Sequence, residues 1–230
     1  MAKAVTKRVS VGRDASPQPT PICGSALDDL RSYSSLRRER RTSMRGGFES
    51  VVGSRAVTIY TRKGDDGTTG LLYGGRVRKD SDIPEALGAV DEAQAAIGVA
   101  RALADGDVHS ILTKSAADLW KVMAQIAENP ERRSTPTDLP DRVAAIERTI
   151  DEVTARFEMP TDFVVPGATA LSAYIDVARA AARRAERSAV RAESPAGVVV
   201  YLNRLSDLLW ALARWTEQDS TLAKDVGAKG

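Results

Sequence analysis

Residues 140–158 read Pro-Asp-Arg-Val-Ala-Ala-Ile-Glu-Arg-Thr-Ile-Asp-Glu-Val-Thr-Ala-Arg-Phe-Glu. Val143, Ile146, Ile150, Val153 and Phe157 recur at alternating steps of three and four, a heptad-like seam along one face of an α-helix. Such a seam has to be buried against other helices. Working outward, the same period returns on both sides. A first helix opens at Ser81-Asp82 with Pro84 in its first turn, and carries Ile83, Leu87, Val90 and Ile97. A second runs from about Val108 to Ala127, with Ile111, Leu112, Leu119, Val122, Met123 and Ile126 on one side. A fourth spans about Ala168 to Glu193. A fifth runs from about Ala196 to Leu222 on Val199, Leu202, Leu205, Leu208, Leu209 and Leu212. Asp105-Gly106, the Pro-rich stretch from Asn129 to Pro140, Met159 to Gly167, and Ser194-Pro195 separate them. Five helices on short links predict an all-α, up-and-down five-helix bundle over residues 56–222. Residues 223–230 read as a flexible C-terminal tail.

Residues 1–55 differ in composition. They hold Gly, Ser and Pro clusters and the basic run Arg37-Arg38-Glu39-Arg40-Arg41, with a net charge of about +6. No helical or strand period is sustained, so the stretch reads as a disordered basic extension. It lacks an apolar h-region and does not read as a secretory signal. Its Arg- and Ser-rich start resembles an organelle transit peptide, against which stand Asp28, Asp29, Glu39 and Glu49. Cys23 is the only cysteine and His109 the only histidine of the 230 residues. A Cys-based zinc site, a paired Glu-x-x-His di-iron site and a His-x-x-x-His zinc site are therefore excluded. No apolar run approaches the roughly 20 residues of a membrane span. The expected location is the cytoplasm, with organelle import through the extension as the minor reading.

Three stretches carry candidate chemistry. Behind the β-prone Val57-Thr58-Ile59-Tyr60 comes Thr61-Arg62-Lys63-Gly64-Asp65-Asp66-Gly67-Thr68-Thr69-Gly70, a loop by composition. Its glycines free backbone N–H groups to face an anion, and its threonines, Arg62 and Lys63 add hydroxyls and charge. It is not a P-loop. In the fourth helix, Arg179, Arg183 and Arg187 share a face with Glu186 and suit a polyanion. The alternative is a solvated stripe. Ala178, Ala181, Ala182, Ala185 and Ala189 keep that helix slim for close packing. In the fifth helix, Asn203, Ser206 and Asp207 interrupt an apolar run. Asn203 suits an adenine or ribose edge, or else a helix-to-helix hydrogen bond. Trp120, Trp210 and Trp215 read as core.

Taken together and in order, these stretches resemble the PduO-type cobalamin adenosyltransferases. The likeness runs from about Val57 to Glu217. It rests on Tyr60-Thr61-Arg62-Lys63-Gly64-Asp65-Asp66-Gly67, Gly88-Ala89-Val90-Asp91-Glu92, Phe163-Val164-Val165-Pro166-Gly167, Arg183-Arg184-Ala185-Glu186-Arg187 and Asn203-Arg204-Leu205-Ser206-Asp207. The resemblance implies a five-helix bundle that forms a homotrimer with active sites between subunits. It implies that Thr61, Arg62, Lys63, Gly64, Thr69 and Lys79 wrap ATP, and that Arg183, Arg184, Glu186, Arg187 and Asn203 hold ATP and Mg2+, with Glu186 as the metal contact. Asp91 and Arg179 match a salt bridge across the subunit interface, and Phe163 matches an aromatic that closes the lower face of the corrinoid. The sequence departs from the family where Arg62 replaces lysine, where Ala168 replaces a second glycine, and where Asp176 stands at a position often occupied by histidine.

The implied activity is transfer of the 5′-deoxyadenosyl group of ATP to cob(I)alamin, formed from cob(II)alamin by a reductase. A mutase that uses adenosylcobalamin would receive the product. Such chemistry needs no protein nucleophile, which fits a chain rich in Arg and Lys but without a His/Ser/Cys constellation. The main alternative is a non-catalytic carrier of adenosylcobalamin. A nucleic-acid partner for the basic extension is the weaker alternative.

Overall fold

Alanine on two facing helices sets the architecture. In the computed structural model, which describes residues 59–132, 138–217 and 220–227, helix α1 (Asp82–Leu103) buries Ala86, Ala89, Ala93 and Ala100 beside Val90 and Ile97. Helix α4 (Ala170–Arg191) buries Ala178, Ala181, Ala182, Ala185 and Ala189, all five alanines expected to keep it slim. Small side chains let two helices approach closely, and α1 and α4 make the most extensive helix–helix contact in the chain.

Helix α5 (Ala196–Thr216) packs on α4 and on α3 (Leu139–Thr154). Its Leu202, Leu205, Leu208, Leu209 and Leu212 are fully buried and form the centre of the core. By length and composition α5 is also apolar enough to cross a membrane, which the sequence reading missed. More than half of it is buried within the bundle, so it serves as the core helix. Helix α2 (Gly106–Ile126) pairs with α1 across a two-residue link and touches α5 and α3. The predicted bundle of five long helices is present.

The helix ends differ from expectation in two places. Helix α3 stops at Thr154, four residues short of the predicted Glu158. The Thr154 hydroxyl donates to the Ile150 carbonyl, and Arg156 N–H turns back to Val153. Phe157 still reaches the core, against Trp210 with ring centroids 6.3 Å apart. Helix α5 stops at Thr216 rather than near Leu222, with Glu217 already extended (φ −86°, ψ 131°). Within the segment expected to be a flexible tail, Ala223–Gly227 forms a short helix, α6. Residues 228–230 and the 1–55 extension lie outside the described residues.

Trp120 corrects a third expectation. It is 68% exposed, because α2 buries Leu119 and Val122 and residue 120 points away from that seam. Ile59 and Tyr60, the described half of the β-prone run, are exposed and not in a strand. Strands form instead at β1 (Thr68–Gly70) and β2 (Arg76–Arg78), paired antiparallel with Thr69 opposite Val77. The end of what composition suggested to be plain loop, Thr68–Gly70, is therefore the first strand of a hairpin.

Candidate active site

The hairpin is organised by Arg76, a residue that sequence reasoning passed over. Its Nε donates to Thr68 Oγ1 at 2.8 Å, and its Nη2 donates to the Lys63 carbonyl at 2.6 Å. Asp66 caps the turn, accepting from Thr68 N–H at 2.9 Å and from the Thr68 hydroxyl at 2.8 Å. These Thr68 bonds, backbone first, hold the Asp66 carboxyl below its ordinary value, with Arg76 adding to the effect. Lys79 N–H closes the ladder on the Gly67 carbonyl at 2.9 Å.

Gly64 and Lys79, predicted to act together, are brought together. A Cβ on Gly64 would stand 3.0 Å from Lys79 Nζ and 3.0 Å from the Thr68 carbonyl. Only glycine lets the lysine amine lie across the turn. Arg62 takes the left-handed conformation (φ 60°), which costs a non-glycine residue about 1 kcal/mol, and its guanidinium lies 5.4 Å from the Tyr60 ring centroid. Thr61, Arg62 and Lys63 are exposed, and Thr69 is half-buried in β1.

Helix α4 sorts its arginines into two kinds. Arg179 is tied by Nε to Asp176 at 2.8 Å, and Arg184 is ion-paired with Glu92 of α1. Arg183 and Arg187 are exposed and make no ion pair or hydrogen bond among the described residues. Between the helices, Asn203 Nδ2 of α5 donates to Glu186 Oε1 at 3.1 Å, and Arg204 Nη1 donates to Asn203 Oδ1 at 2.8 Å. The helix-to-helix reading of Asn203 is thus observed, and it orients Glu186 next to the two unpaired arginines. Asp91 is exposed and makes no ion pair or hydrogen bond among the described residues, and Arg179 is held by Asp176 instead. No hydrogen bond or ion pair joins the hairpin to α4 among the described residues.

Phe163 is 85% exposed. Its loop is fixed by the chain beyond α5. Val165 N–H donates to the Thr221 carbonyl at 2.9 Å, and Ala223 N–H donates to the Phe163 carbonyl at 2.8 Å, around a Val164–Leu222 bridge. A buried network leads up to that clasp. Arg214 Nη2 donates to Asp176 Oδ2 at 2.7 Å and to Glu217 Oε1 at 2.8 Å, and the Ser220 hydroxyl donates to Glu217 Oε2 at 2.7 Å. Asp176 is thus occupied as a bridge between two arginines. The available signal was Arg214 itself, a charge set among the apolar residues Leu212, Ala213 and Trp215 that needs a buried partner.

A second buried network lies between α2, α3 and α5. The Tyr201 hydroxyl donates to Asp118 Oδ2 at 3.1 Å, and Asp118 is ion-paired with Arg142. Burial, then the neighbouring Asp118 charge, pushes the Tyr201 hydroxyl well above its usual pKa.

A helical bundle that carries two exposed arginines without partners among the described residues, beside a carboxylate, and a cationic hairpin fastened at the end of α2, defines a class of protein suited to hold a polyanion. The comparisons with known proteins are more specific. The sequence model described as cobalamin adenosyltransferase matches residues 59–216. The chain belongs to that family. It is 42% identical over 178 residues to a corrinoid adenosyltransferase of Mycobacterium bovis, covering 70% of this chain and 89% of that one. It is 37% identical over 177 residues to the corrinoid adenosyltransferase PduO of Salmonella typhimurium, covering 74% of this chain but only 53% of that longer protein. Among solved structures it is similar, with a TM-score of 0.68 and 27% identity, to a variant PduO-type ATP:corrinoid adenosyltransferase from Lactobacillus reuteri complexed with cobalamin and ATP. That likeness covers 73% of this chain and 97% of the other.

Proposed function

We propose that this chain transfers the 5′-deoxyadenosyl group of ATP to the cobalt of cob(I)alamin, giving adenosylcobalamin and triphosphate. The observation that carries this reading is the pair Arg183 and Arg187, without a partner among the described residues, beside the Glu186–Asn203 bond. Two free guanidiniums on one helix face suit triphosphate oxygens bidentately. In the transfer, a Co–C bond forms at C5′ as the C5′–O bond breaks, and triphosphate leaves with the electron pair. The protein's share is to hold the two reactants in line and to stabilise the departing polyanion. Arg183, Arg184, Arg187 and Asn203 take this part on the bundle, and Thr61, Arg62, Lys63, Gly64, Thr69 and Lys79 on the hairpin. Phe163 lies under the corrinoid and excludes water from the cobalt.

Among the described residues no three His, Cys, Asp or Glu side chains cluster to hold a metal alone. An ion that arrives on ATP needs few protein oxygens, and Glu186 offers one carboxylate already oriented by Asn203. Mg2+ bound there would neutralise triphosphate charge.

The working form in this reading is a homotrimer whose sites combine two subunits, with Asp91 of one meeting Arg179 of the next. Exposed Val99 and Leu103 on α1 and Tyr174 and Val177 on α4 support self-association. A cytoplasmic reductase supplies the cob(I)alamin, and an adenosylcobalamin-dependent mutase takes the product. The test is incubation with ATP, Mg2+ and chemically generated cob(I)alamin, followed by the visible spectrum. Light-sensitive adenosylcobalamin that appears only with ATP is the expected result. Its absence from folded protein would favour the carrier reading.

A further inference from the structure

The tip of the nucleotide hairpin is fastened to a part of the bundle that none of the motifs touches. Between β1 and β2, Leu72 N–H donates to the Ala127 carbonyl at the end of α2 at 2.8 Å, and Asn129 N–H donates back to the Leu72 carbonyl at 3.1 Å. Asn129 Nδ2 donates to the Gly74 carbonyl at 3.0 Å, and Arg132 Nη1 donates to the Tyr73 carbonyl at 3.2 Å. The fit is close: a Cβ on Gly75, which sits at φ +89°, would stand 3.0 Å from Asn129 Nδ2. The Asn129 side chain fills the space that glycine leaves. Its Oδ1 meanwhile accepts from Glu131 N–H at 3.0 Å, which fixes the side chain's orientation.

We propose that the α2–α3 connection is part of the nucleotide site, and that Asn129 is a positioning residue for ATP. This rests on the reading that the hairpin holds the triphosphate. Two three-residue strands are marginal by themselves, so an unfastened hairpin would be ordered only when ATP binds. Fastened at its tip by Asn129 and continuous with α1 beyond Lys79, the hairpin presents Lys63, Gly64 and Lys79 already in place. Asn129 makes no contact with the reacting atoms. Its loss should raise KM for ATP and leave kcat at saturating ATP close to normal.

The experiment uses the full chain, chemically reduced cob(I)alamin and varied ATP. Asn129→Ala removes both side-chain bonds. Asn129→Asp keeps the acceptor for Glu131 N–H and loses only the donor to Gly74. Both are expected to raise KM about five- to tenfold, the worth of one hydrogen bond, with kcat within about twofold and an unchanged unfolding midpoint without ATP. Lys63→Ala, which alters the hairpin's own charge, should also raise KM. If Lys63→Ala raises KM and Asn129→Ala does not, the positioning role is wrong while the hairpin reading stands. If Asn129→Asp restores the normal KM, the bond to Gly74 is not the route and the proposal falls. A loss of kcat that tracks a lowered unfolding midpoint would also overturn it, since that marks a merely structural contact. If Lys63→Ala leaves KM unchanged, the hairpin reading itself falls, and this inference with it.

Discussion

Replacing Arg183 with alanine separates binding from folding. Arg183 is exposed and makes no ion pair or hydrogen bond among the described residues. No partner among the described residues is orphaned by its removal, and alanine is at least as good a helix former. The unfolding midpoint should therefore move by no more than about 0.5 kcal/mol. The effect on ATP use should be large. One bidentate guanidinium contact to the leaving triphosphate is worth about 2–4 kcal/mol, or roughly thirtyfold to a thousandfold in kcat/KM. Arg183→Lys keeps the charge and loses the fork, so it should fall between the two. The assay is steady-state adenosylcobalamin formation with saturating cob(I)alamin and varied ATP, alongside thermal unfolding of the same preparations. A near-normal kcat/KM in Arg183→Ala would refute the assignment. So would a loss that follows the unfolding midpoint, since it would place Arg183 in the fold.

Other expectations follow from the same contacts. Phe163→Ala should leave ATP affinity unchanged by calorimetry and slow adenosylation that starts from cob(II)alamin; equal rates would remove its lower-face role. Arg214→Leu leaves Asp176 with Arg179 alone and Glu217 with Ser220 alone, both deep in the fold, and should cost about 3–5 kcal/mol in a denaturant titration. Tyr201→Phe should cost about 1–2 kcal/mol, because Asp118 loses a buried donor. The folded Tyr201 hydroxyl titrates above the ordinary value of 10.0, so its contribution is complete below pH 10.0 and fades as pH rises beyond it. Stability measured above pH 10.0 should accordingly decline more steeply in the wild type than in Tyr201→Phe; parallel declines would count against the buried bond.

The bundle was legible because its signal is repetitive. The seam at Val143, Ile146, Ile150 and Val153 and the alanines of α4 each repeat a period several times. Tertiary packing then confirmed rather than reversed the local preference. The ends were less legible because single side-chain contacts decide them. Leu222 continues the apolar period of α5, yet Glu217 turns out of the helix while its carboxylate stays on buried Arg214. The hairpin was hidden by its own glycines, whose composition says loop while the Arg76 bonds make a ladder. At the site, the arginine pattern showed which residues share a face. The Asp176–Arg179 pair, three residues apart on one helix, was within reach of that pattern but was passed over, whereas Glu92, the partner of Arg184, comes from another helix and follows no local spacing. Asn129 was invisible for a related reason. Its bond to Gly74 spans 55 positions of sequence and follows no periodic rule.

The pairing of Phe163–Val165 with Thr221–Ala223 has a consequence for how the molecule is completed. The two segments of that clasp are joined only through the whole length of α4 and α5. As the chain is made, every residue proposed to hold ATP emerges first, and the loop bearing Phe163 acquires its second edge last. A chain truncated after Glu217 would lack that second edge. In the proposed reading, that shortened chain would keep the arginine face of α4 and leave the loop bearing Phe163 without its second edge, so that it would bind ATP yet transfer the adenosyl group poorly.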